Sequence, residues 1–301
     1  MSNIYDEYEP YYSNDTTPKC GTKSFIINKE TREVINADEI FAYGILMKRK
    51  YSKDFIKKGT IKFGCPKMWI DYAATHKPGK GDMQEGVFAA YDLKNIEGIK
   101  SGLKDNPGSF FIRLISSRSD QVYLVDRKVI SLPTYCFYII KTGDYEIVRY
   151  GGSEYTAHLH IPPRYIRGLA DEKSWEEAMK DNPSEQYVFV FIYGHKLFEK
   201  KIFDKLSELG VAKNEMLHGP IQYKNMDKPF QKEVDHPLEL FFKNEQFYDQ
   251  HEGRIVINTD NCALKQFLLD NTIDIGPLED ICVLFDHYPA GGIESFIDLD
   301  V

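Results

Sequence analysis

The sequence predicts an α+β fold, in a single domain that follows a short N-terminal arm. Short stretches with the apolar or alternating pattern of β-strands recur along the chain, and only a few stretches have the period of a helix. No internal repeat is present, and no long linker divides the chain after residue 25. We therefore expect an acidic, tyrosine-rich arm at residues 1–24 and one domain at residues 25–301.

The strands are predicted from apolar or alternating runs bounded by glycine, proline and polar residues. The run Gln186–Tyr193 is the strongest of them, because every other residue or more is β-branched or aromatic. In chain order we expect strands at Phe41–Met47, Thr60–Gly64, Gly86–Tyr91, Ser109–Ile115, Gln121–Val125, Pro133–Ile140, Tyr145–Arg149, Ala157–Ile161, Gln186–Tyr193, Leu238–Phe242, Arg254–Ile257 and Ile281–Phe285.

A few stretches predict helices between these strands. Ser52 is a suitable N-cap for the first helix, and glycines at positions 59 and 210 suit helix C-termini. We expect helices at Tyr51–Gly59, Ser174–Lys180, Leu197–Leu209 and Cys262–Asp270. Residues 71–86, rich in Gly, Lys and Asp, predict a loop.

The composition favours an ordered, soluble and cytoplasmic protein. The chain has 301 residues, 42% of them hydrophobic, and its 20 Tyr and 19 Phe favour sheets. Its five cysteines are scattered and form no C-x-x-C pair, which suggests reduced thiols. The acidic N-terminus is unlike a signal peptide, and no apolar run approaches the roughly 18 residues of a membrane helix, so no membrane partner is expected.

The net charge indicates which classes of macromolecule the protein is suited to bind. A formal charge of −8 argues against a general nucleic-acid binder, because phosphate contacts call for a basic surface. A local basic groove is still compatible with this charge.

The stretch Phe247–Ile257 is the most informative part of the chain. It reads as a strand, on which side chains two residues apart share a face, so that Gln250, Glu252 and Arg254 would project together. Ile255 and Ile257 would then point into an apolar layer on the other side. The polar row is either a solvated face with a Glu/Arg pair or the floor of a polar site.

Two other segments have residues suited to a ligand. The loop Lys77–Gly86 combines glycines with Lys80, Asp82 and Glu85, which suits a surface turn or a loop that approaches a phosphate closely. Lys48 and Arg49 follow the first strand, where cations can clamp a pyrophosphate or simply form a solvated turn.

Other kinds of chemistry have weaker support. His158 and His160 share a strand face at a spacing that can hold a metal, but no third ligand lies nearby, so we expect no metal site. The chain has no G-x-S-x-G elbow and no catalytic-cysteine signature.

Three segments, taken in order, resemble a bacterial family of uncharacterised domains related in fold to ADP-ribosyltransferases. The first, Met47–Phe63, contains a basic turn, a helix and "G-x-[IL]-x-F". The second combines Pro66-Lys-Met-Trp-Ile-Asp71 with Gly79-Lys-Gly-Asp-Met-Gln-Glu-Gly86. The third, Phe241–Ile257, fits "F-x-K-x-x-x-[FY]-x-x-Q-x-E-x-R-[IV]-[IV]-[IV]". The resemblance spans residues 41–257 and implies split mixed or antiparallel β-sheets with peripheral helices.

The resemblance also implies roles for individual residues. Glu252 would be the catalytic acid that holds the nicotinamide ribose of NAD and stabilises the positive charge developing on it. Gln250 would orient the incoming nucleophile, and Lys48 or Arg49 would bind the NAD phosphates. Trp69 and the loop with Lys80, Asp82 and Glu85 would line the NAD site.

Two further consequences of the resemblance concern the support of the catalytic acid and the role of Arg254. These enzymes usually have a Ser or Thr on a middle strand, and here the corresponding segment offers Tyr138 or Cys136. Arg254 has apolar neighbours in sequence, so we expect a structural role in which it pairs with an acid on the next strand.

The resemblance therefore predicts an ADP-ribosyltransferase that uses NAD as a substrate and acts on a protein, RNA or DNA, as an intracellular toxin or phage-defence effector. An NAD glycohydrolase and a catalytically inactive nucleotide- or protein-binding module are the alternatives. Tyr5, Tyr8, Tyr11 and Tyr12 would make the arm either a disordered tail or a handle for an antitoxin or chaperone.

Overall fold

A computed structural model describes residues 25–75, 84–112, 121–161, 186–226, 228–230, 235–285 and 293–299. Within these ranges several antiparallel sheets combine with few helices, which confirms the α+β class. The helices are α1 (Arg49–Lys58), α2 (Pro66–Thr75), α3 (Ile96–Asp105), α4 (His195–Glu208) and α5 (Cys262–Asp270).

The strands are short and occur along the whole described chain. They are β1 (Ile40–Lys48), β2 (Thr60–Lys62), β3 (Val87–Asp92), β4 (Ser109–Ile112), β5 (Gln121–Asp126), β6 (Thr134–Lys141), β7 (Tyr145–Tyr150), β8 (Ser153–Ile161), β9 (Tyr187–Ile192), β10 (Met216–Pro220), β11 (Gln222–Lys224), β12 (Phe242–Asn244), β13 (Glu252–Ile257), β14 (Thr272–Asp274), β15 (Cys282–Phe285) and β16 (Ile293–Asp298).

A six-stranded sheet forms the centre, in the order β10-β13-β6-β1-β9-β15. All of its neighbouring strands are antiparallel, and in its register Glu252 lies opposite Tyr138, which lies opposite Gly44. Most of its strands are apolar on both sides because both faces of the sheet are covered.

One face of this sheet packs against helices. Tyr43, Ile45, Val190, Ile255 and Ile257 contact a core to which α1, α4 and α5 contribute their apolar sides. Ile255 and Ile257 therefore point into an apolar layer, as their alternation with the polar residues of β13 predicts.

Part of the opposite face is covered by a smaller sheet. The sheet β16-β8-β7 packs its apolar side against Ile140, Phe189 and Phe191. The sheet β3-β5-β4 has its own core, and a small cluster that includes Leu240 and Val256 lies beside the end of β13. This arrangement places the chain just before β3 close to the polar side of β13.

Most predicted elements are found with shifts of a residue or two at their ends. The helix Cys262–Asp270 has the predicted bounds. The ends of β1, β9 and α4 differ by one or two residues from the predicted Phe41–Met47, Gln186–Tyr193 and Leu197–Leu209. Gly59 ends α1 with φ +65°, and a Cβ there would lie 2.3 Å from the carbonyl oxygen of Gly276. A glycine is therefore required at this C-terminus by both conformation and space.

Three predictions of secondary structure are wrong. The strand in Phe247–Ile257 starts only at Glu252, because Glu245–Gln250 forms a 3₁₀ helix that ends at His251 with φ 41°. Leu238–Phe241 is also a 3₁₀ helix rather than a strand. Residues 66–75, partly predicted as loop, form α2, which begins at a proline, a residue favoured at the first helical position.

The N-cap prediction also needs correction. Lys48, not Ser52, is the N-cap of α1, and Ser52 lies within the helix, where its hydroxyl donates to the carbonyl of Arg49 at 2.8 Å. The predicted helix Ser174–Lys180 and the arm at residues 1–24 lie outside the described residues. None of the helices in the described ranges is long and apolar enough to cross a membrane.

Candidate functional site

A cluster of buried polar side chains lies on the polar side of β13. It joins four parts of the chain: β13, β12, the 3₁₀ helix before β13 and the turn before β3. Its members, which we call the Arg254 cluster, are Glu85, Lys243, Gln250, Glu252 and Arg254.

Arg254 is the centre of this cluster and is fully buried. Its Nη1 and Nη2 each donate to one oxygen of Glu85 at 2.8 Å, in the bidentate geometry typical of arginine and carboxylate. Its Nε donates to Glu252 Oε1 at 2.5 Å, and Nη1 also donates to the carbonyl of Leu240 at 2.7 Å. The guanidinium therefore ties β13 to the turn before β3 and to the 3₁₀ helix before β12.

Lys243 is the second cation and connects the two residues of the Q-x-E motif. Its Nζ donates to Glu252 Oε2 at 2.9 Å and to Gln250 Oε1 at 2.7 Å, and lies 3.3 Å from Glu85 Oε1. Gln250 is therefore beside Glu252, although it belongs to the 3₁₀ helix and not to the strand. The two residues meet through one ammonium and not through strand alternation.

The local sequence explains how Glu85 reaches this position. Gly86 follows it with φ +68°, which lets the chain turn sharply into β3, and Glu85 itself is 2% exposed. Next to it, Gln84 accepts a hydrogen bond from the side chain of Asn244 at 2.9 Å, which holds the turn against β12. Glu85 and the hydrogen bond between Gln84 and Asn244 are both buried, so the turn is held by polar groups that are shielded from water.

Opposite charges determine the ionisation of the cluster. Burial alone would raise the pKa of Glu252, but the charges and hydrogen bonds of Arg254 and Lys243 outweigh it, so this pKa lies well below the usual range. Burial would lower the pKa of Arg254, and Glu252 and Glu85 raise it well above its usual value. With Glu85 and Glu252 facing Lys243 and Arg254, the four charges cancel.

Three neighbouring residues surround the cluster. The Trp69 ring on α2 lies 5.3 Å from the Arg254 guanidinium carbon, within cation–π range. Cys136 on β6 lies opposite Arg254, and burial, followed by the charge of Glu252, raises the pKa of this thiol. The backbone N–H of Glu252 donates to the hydroxyl of Tyr223 at 2.9 Å.

Tyr138 lies directly across from Glu252 on β6. Its ring stacks on His251, with 5.3 Å between centroids and 7° between planes, and burial raises the pKa of its hydroxyl. The sequence predicted that Tyr138 or Cys136 would support Glu252. Tyr138 lies opposite Glu252 on the neighbouring strand, and Cys136 lies opposite Arg254, two residues further along it.

Lys48 and Arg49 are not part of the cluster. Lys48 lies four residues beyond Gly44 on β1, which is two strands from β13. The register therefore separates it from Glu252 by about 13 Å along the strands and about 10 Å across them. Arg49 Nη2 donates to Gln186 Oε1 at 3.2 Å, which links the start of α1 to the start of β9.

The prediction that Arg254 pairs with an acid on the next strand is partly wrong. Arg254 does pair with acids, but they are Glu252 on its own strand and Glu85 before β3, because its neighbours on the adjacent strands are Cys136 and Gly219. Lys77, Lys80 and Asp82 lie outside the described residues.

Sequence reasoning overlooked Lys243, Asn244, Gln84 and Tyr223. A signal for Lys243 was present, since the third resembling segment begins "F-x-K" and its lysine is Lys243. The Tyr223 contact is long-range and leaves no local pattern.

Two other places on the described surface are separate from the cluster. A cleft of about 150 Å³ lies beyond the other end of β13, lined by residues that include Asp126, His236, Thr259 and Lys265. Within the described ranges no group of three or more His, Cys, Asp or Glu side chains is arranged so that it could hold a metal ion. His158 and His160 each face Glu294, at 3.5 and 3.4 Å.

The Arg254 cluster thus brings two carboxylates, an amide and two cations together on the polar side of a central strand. Comparison with known proteins adds no assignment, because no protein-family model, no curated protein and no solved structure matches the chain.

Proposed function

We propose that this chain is an ADP-ribosyltransferase, with a fold of that type, which cleaves NAD and transfers ADP-ribose to a macromolecule. The observation that carries the proposal is the convergence of Glu252 and Gln250 on one ammonium, with 2.9 Å and 2.7 Å from Lys243 Nζ to their side-chain oxygens. This juxtaposition brings together the carboxylate and the amide that the reaction needs.

The reaction requires a fixed negative charge beside the ribose. The bond between ribose C1′ and the nicotinamide nitrogen breaks, the electron pair leaves with nicotinamide, and positive charge develops on the ribose. Because its pKa lies well below the usual range, Glu252 stays ionised throughout the physiological pH range and is suited to stabilise that charge. An acceptor nucleophile then bonds to C1′ and releases its proton.

Lys243 has to give way for Glu252 to act. Arg254 is fixed by both oxygens of Glu85 and by the Leu240 carbonyl, whereas the ammonium of Lys243 is at the end of a flexible side chain. We assign to Lys243 the role of a displaceable partner: when NAD binds, it withdraws from Glu252 Oε2 and frees this oxygen for the ribose. Its long stem, 7% exposed, lies on β12.

Gln250 is assigned to the acceptor. It lies at the end of a 3₁₀ helix, is half-buried, and so is more accessible than Glu252. An amide there can orient a hydroxyl or an amine of the acceptor without changing its charge. Since free NAD consumption would harm the producing cell, we place the enzyme among toxins or phage-defence effectors that are controlled by a partner.

A matched pair of variants tests the proposal. The parent protein, Gln250→Ala and Gln246→Ala are incubated with NAD labelled in its adenylate phosphate and with cell lysate, and both macromolecular label and free nicotinamide are followed. Gln246 is on the same 3₁₀ helix and is exposed, so it is the control.

The outcomes separate the candidate activities. We expect labelled protein or nucleic acid with the parent and with Gln246→Ala, and a loss of label with Gln250→Ala at retained nicotinamide release. Nicotinamide without macromolecular label in the parent would instead indicate an NAD glycohydrolase. No nicotinamide release from any of the three proteins would contradict both enzyme activities.

One observation favours a second candidate, a catalytically inactive binding module. Both carboxylate oxygens of Glu252 already accept charged hydrogen bonds, at 2.5 Å from Arg254 and 2.9 Å from Lys243. In such a module the cluster only joins β13 to the elements around it. This candidate predicts that nicotinamide release stays at the level of buffer.

A further inference from the structure

We infer that helix α1 forms a docking surface for single-stranded nucleic acid. The segment Lys48–Lys62, which contains α1, has seven cations and one acid, a net charge of +6. The whole chain has a net charge of −8, so the remaining residues carry −14. This concentration of positive charge on an otherwise acidic protein can bind a polyanion locally.

Three cations of α1 are presented to solvent on one side. Ser52 and Phe55 are the buried residues of this helix, and Phe55 packs into the core below the central sheet. Lys50, Lys53 and Lys57 lie at i, i+3 and i+7 on the opposite side and are exposed. They form a stripe about 10 Å long.

The stability of the helix explains only part of the stripe. The first turn of α1 contains no acid, and Arg49 and Lys50 put positive charge at the positive end of the helix dipole, where it is unfavourable. Lys57 and Lys58 at the other end do favour the helix, and Asp54 pairs with Lys58 at 3.1 Å. The charge at the beginning of α1 is therefore not explained by the helix dipole.

Two lysines of the stripe have no partner among the described residues. Lys53 and Lys57 make no hydrogen bond or ion pair with any residue of the described ranges. Lysines without partners on a helix face can neutralise phosphates and release their counterions, which is the main source of affinity for nucleic acid.

An aromatic ring beside the stripe favours nucleic acid over other polyanions. Tyr51 is 58% exposed, and Lys50 Nζ lies 5.2 Å from the centre of its ring. Exposed aromatic rings beside cations stack unpaired bases with little sequence preference. A membrane surface fits less well, since Phe55 and Ile56 pack into the core and leave only Tyr51 to insert.

The inference is tested by binding, without NAD, so its result is independent of the proposed enzyme activity. Fluorescence anisotropy of a labelled 20-nucleotide RNA and a DNA of the same sequence is measured with full-length protein over a range of KCl concentrations. The variant Lys50→Glu/Lys53→Glu/Lys57→Glu is compared with Lys94→Glu/Lys100→Glu/Lys104→Glu. The second set has the same charge change and lies on or beside α3, where all three lysines are exposed.

We expect the parent to bind, with a log–log salt slope of about −2 for three phosphate contacts. The α1 variant should lose at least about tenfold in affinity and most of this slope, whereas the α3 variant changes affinity by less than about threefold. Tyr51→Ala should weaken binding and leave the slope unchanged.

Three results would overturn the inference: no binding at low salt, equal losses in the two triple variants, or binding of anionic lipid vesicles but of neither nucleic acid. Because the substituted side chains are exposed, the triple variants should fold. Lys53→Gln/Lys57→Gln, which only neutralises charge, provides the same test if they do not.

Discussion

Removing Arg254 provides the most detailed test of the buried cluster. Arg254→Met deletes four hydrogen bonds, of which three go to carboxylates, and leaves Glu85 and Glu252 with Lys243 as their one remaining cation in the cluster. Breaking a buried pair by removing one partner costs about 3–5 kcal/mol, because a charge is left uncompensated. We expect this loss in the free energy of unfolding.

The magnitude can be assigned to the pair by a double-mutant cycle with Glu85→Gln. In Arg254→Met/Glu85→Gln the remaining charges of the cluster, Glu252 and Lys243, cancel. The double variant should therefore be less destabilised than the two single variants together, with a coupling energy of about 2 kcal/mol or more. The assay is urea unfolding followed by circular dichroism, with the slope of each transition compared as well as its midpoint.

An exposed ion pair provides the control cycle. Lys205 and Glu208 on α4 are 2.9 Å apart and remain 32% and 66% exposed, so their coupling should be only about 0.3–0.5 kcal/mol. If the Arg254–Glu85 coupling were as small as this, the cluster would not hold β13 to the turn before β3, and the reasoning would be refuted.

Two further predictions concern acid stability and the end of α1. Because the pKa of Glu252 is lowered on folding, its contribution to stability is present above the ordinary glutamate pKa of about 4.3 and is lost as the pH falls further. Urea unfolding at a series of pH values should therefore show a steeper acid loss for the parent than for Glu252→Gln, and parallel curves would contradict the pairing. Gly59→Ala should cost about 3 kcal/mol, since a Cβ would lie 2.3 Å from the Gly276 carbonyl oxygen at φ +65°. Gly151 also has a positive φ, of +62°, but a Cβ added there would meet no atom within 4 Å other than those of its chain neighbours, so Gly151→Ala should cost only about 1–2 kcal/mol. Equal losses of stability in the two variants would show that the close contact at Gly59 has no effect.

Local patterns in the sequence predicted much of the sheet. The apolar runs around Tyr43 and Val190 predicted β1 and β9 because a strand covered on both faces has to be apolar throughout. The alternation of Glu252 and Arg254 with Ile255 and Ile257 correctly assigned the two faces of β13. Such patterns are local, so one chain is enough to detect them.

The contacts of the site could not be predicted in the same way. Glu85 and Arg254 are 169 residues apart in sequence, and the bidentate pair between them depends on how two sheets pack. The 3₁₀ helix at Glu245–Gln250 replaces the start of the predicted strand, because Asn244 accepts a hydrogen bond from the backbone N–H of Gln246 and starts a helical turn. Of the three resembling segments, the second and third contribute residues to the cluster and the first does not, and none of them indicated that Lys243 joins Gln250 to Glu252.

Nicotinamide release from NAD by Glu252→Gln and by Glu85→Gln is the most direct test of the proposed enzyme. Both substitutions remove one buried carboxylate that Arg254 pairs with, so both disturb the cluster, and turnover is normalised to the folded fraction measured by circular dichroism. We predict that Glu252→Gln lowers turnover by about 100-fold or more, while Glu85→Gln keeps most of the parent's turnover per folded molecule. Equal turnover by the two folded variants, or none by the parent, would contradict the assignment of Glu252 as the catalytic carboxylate.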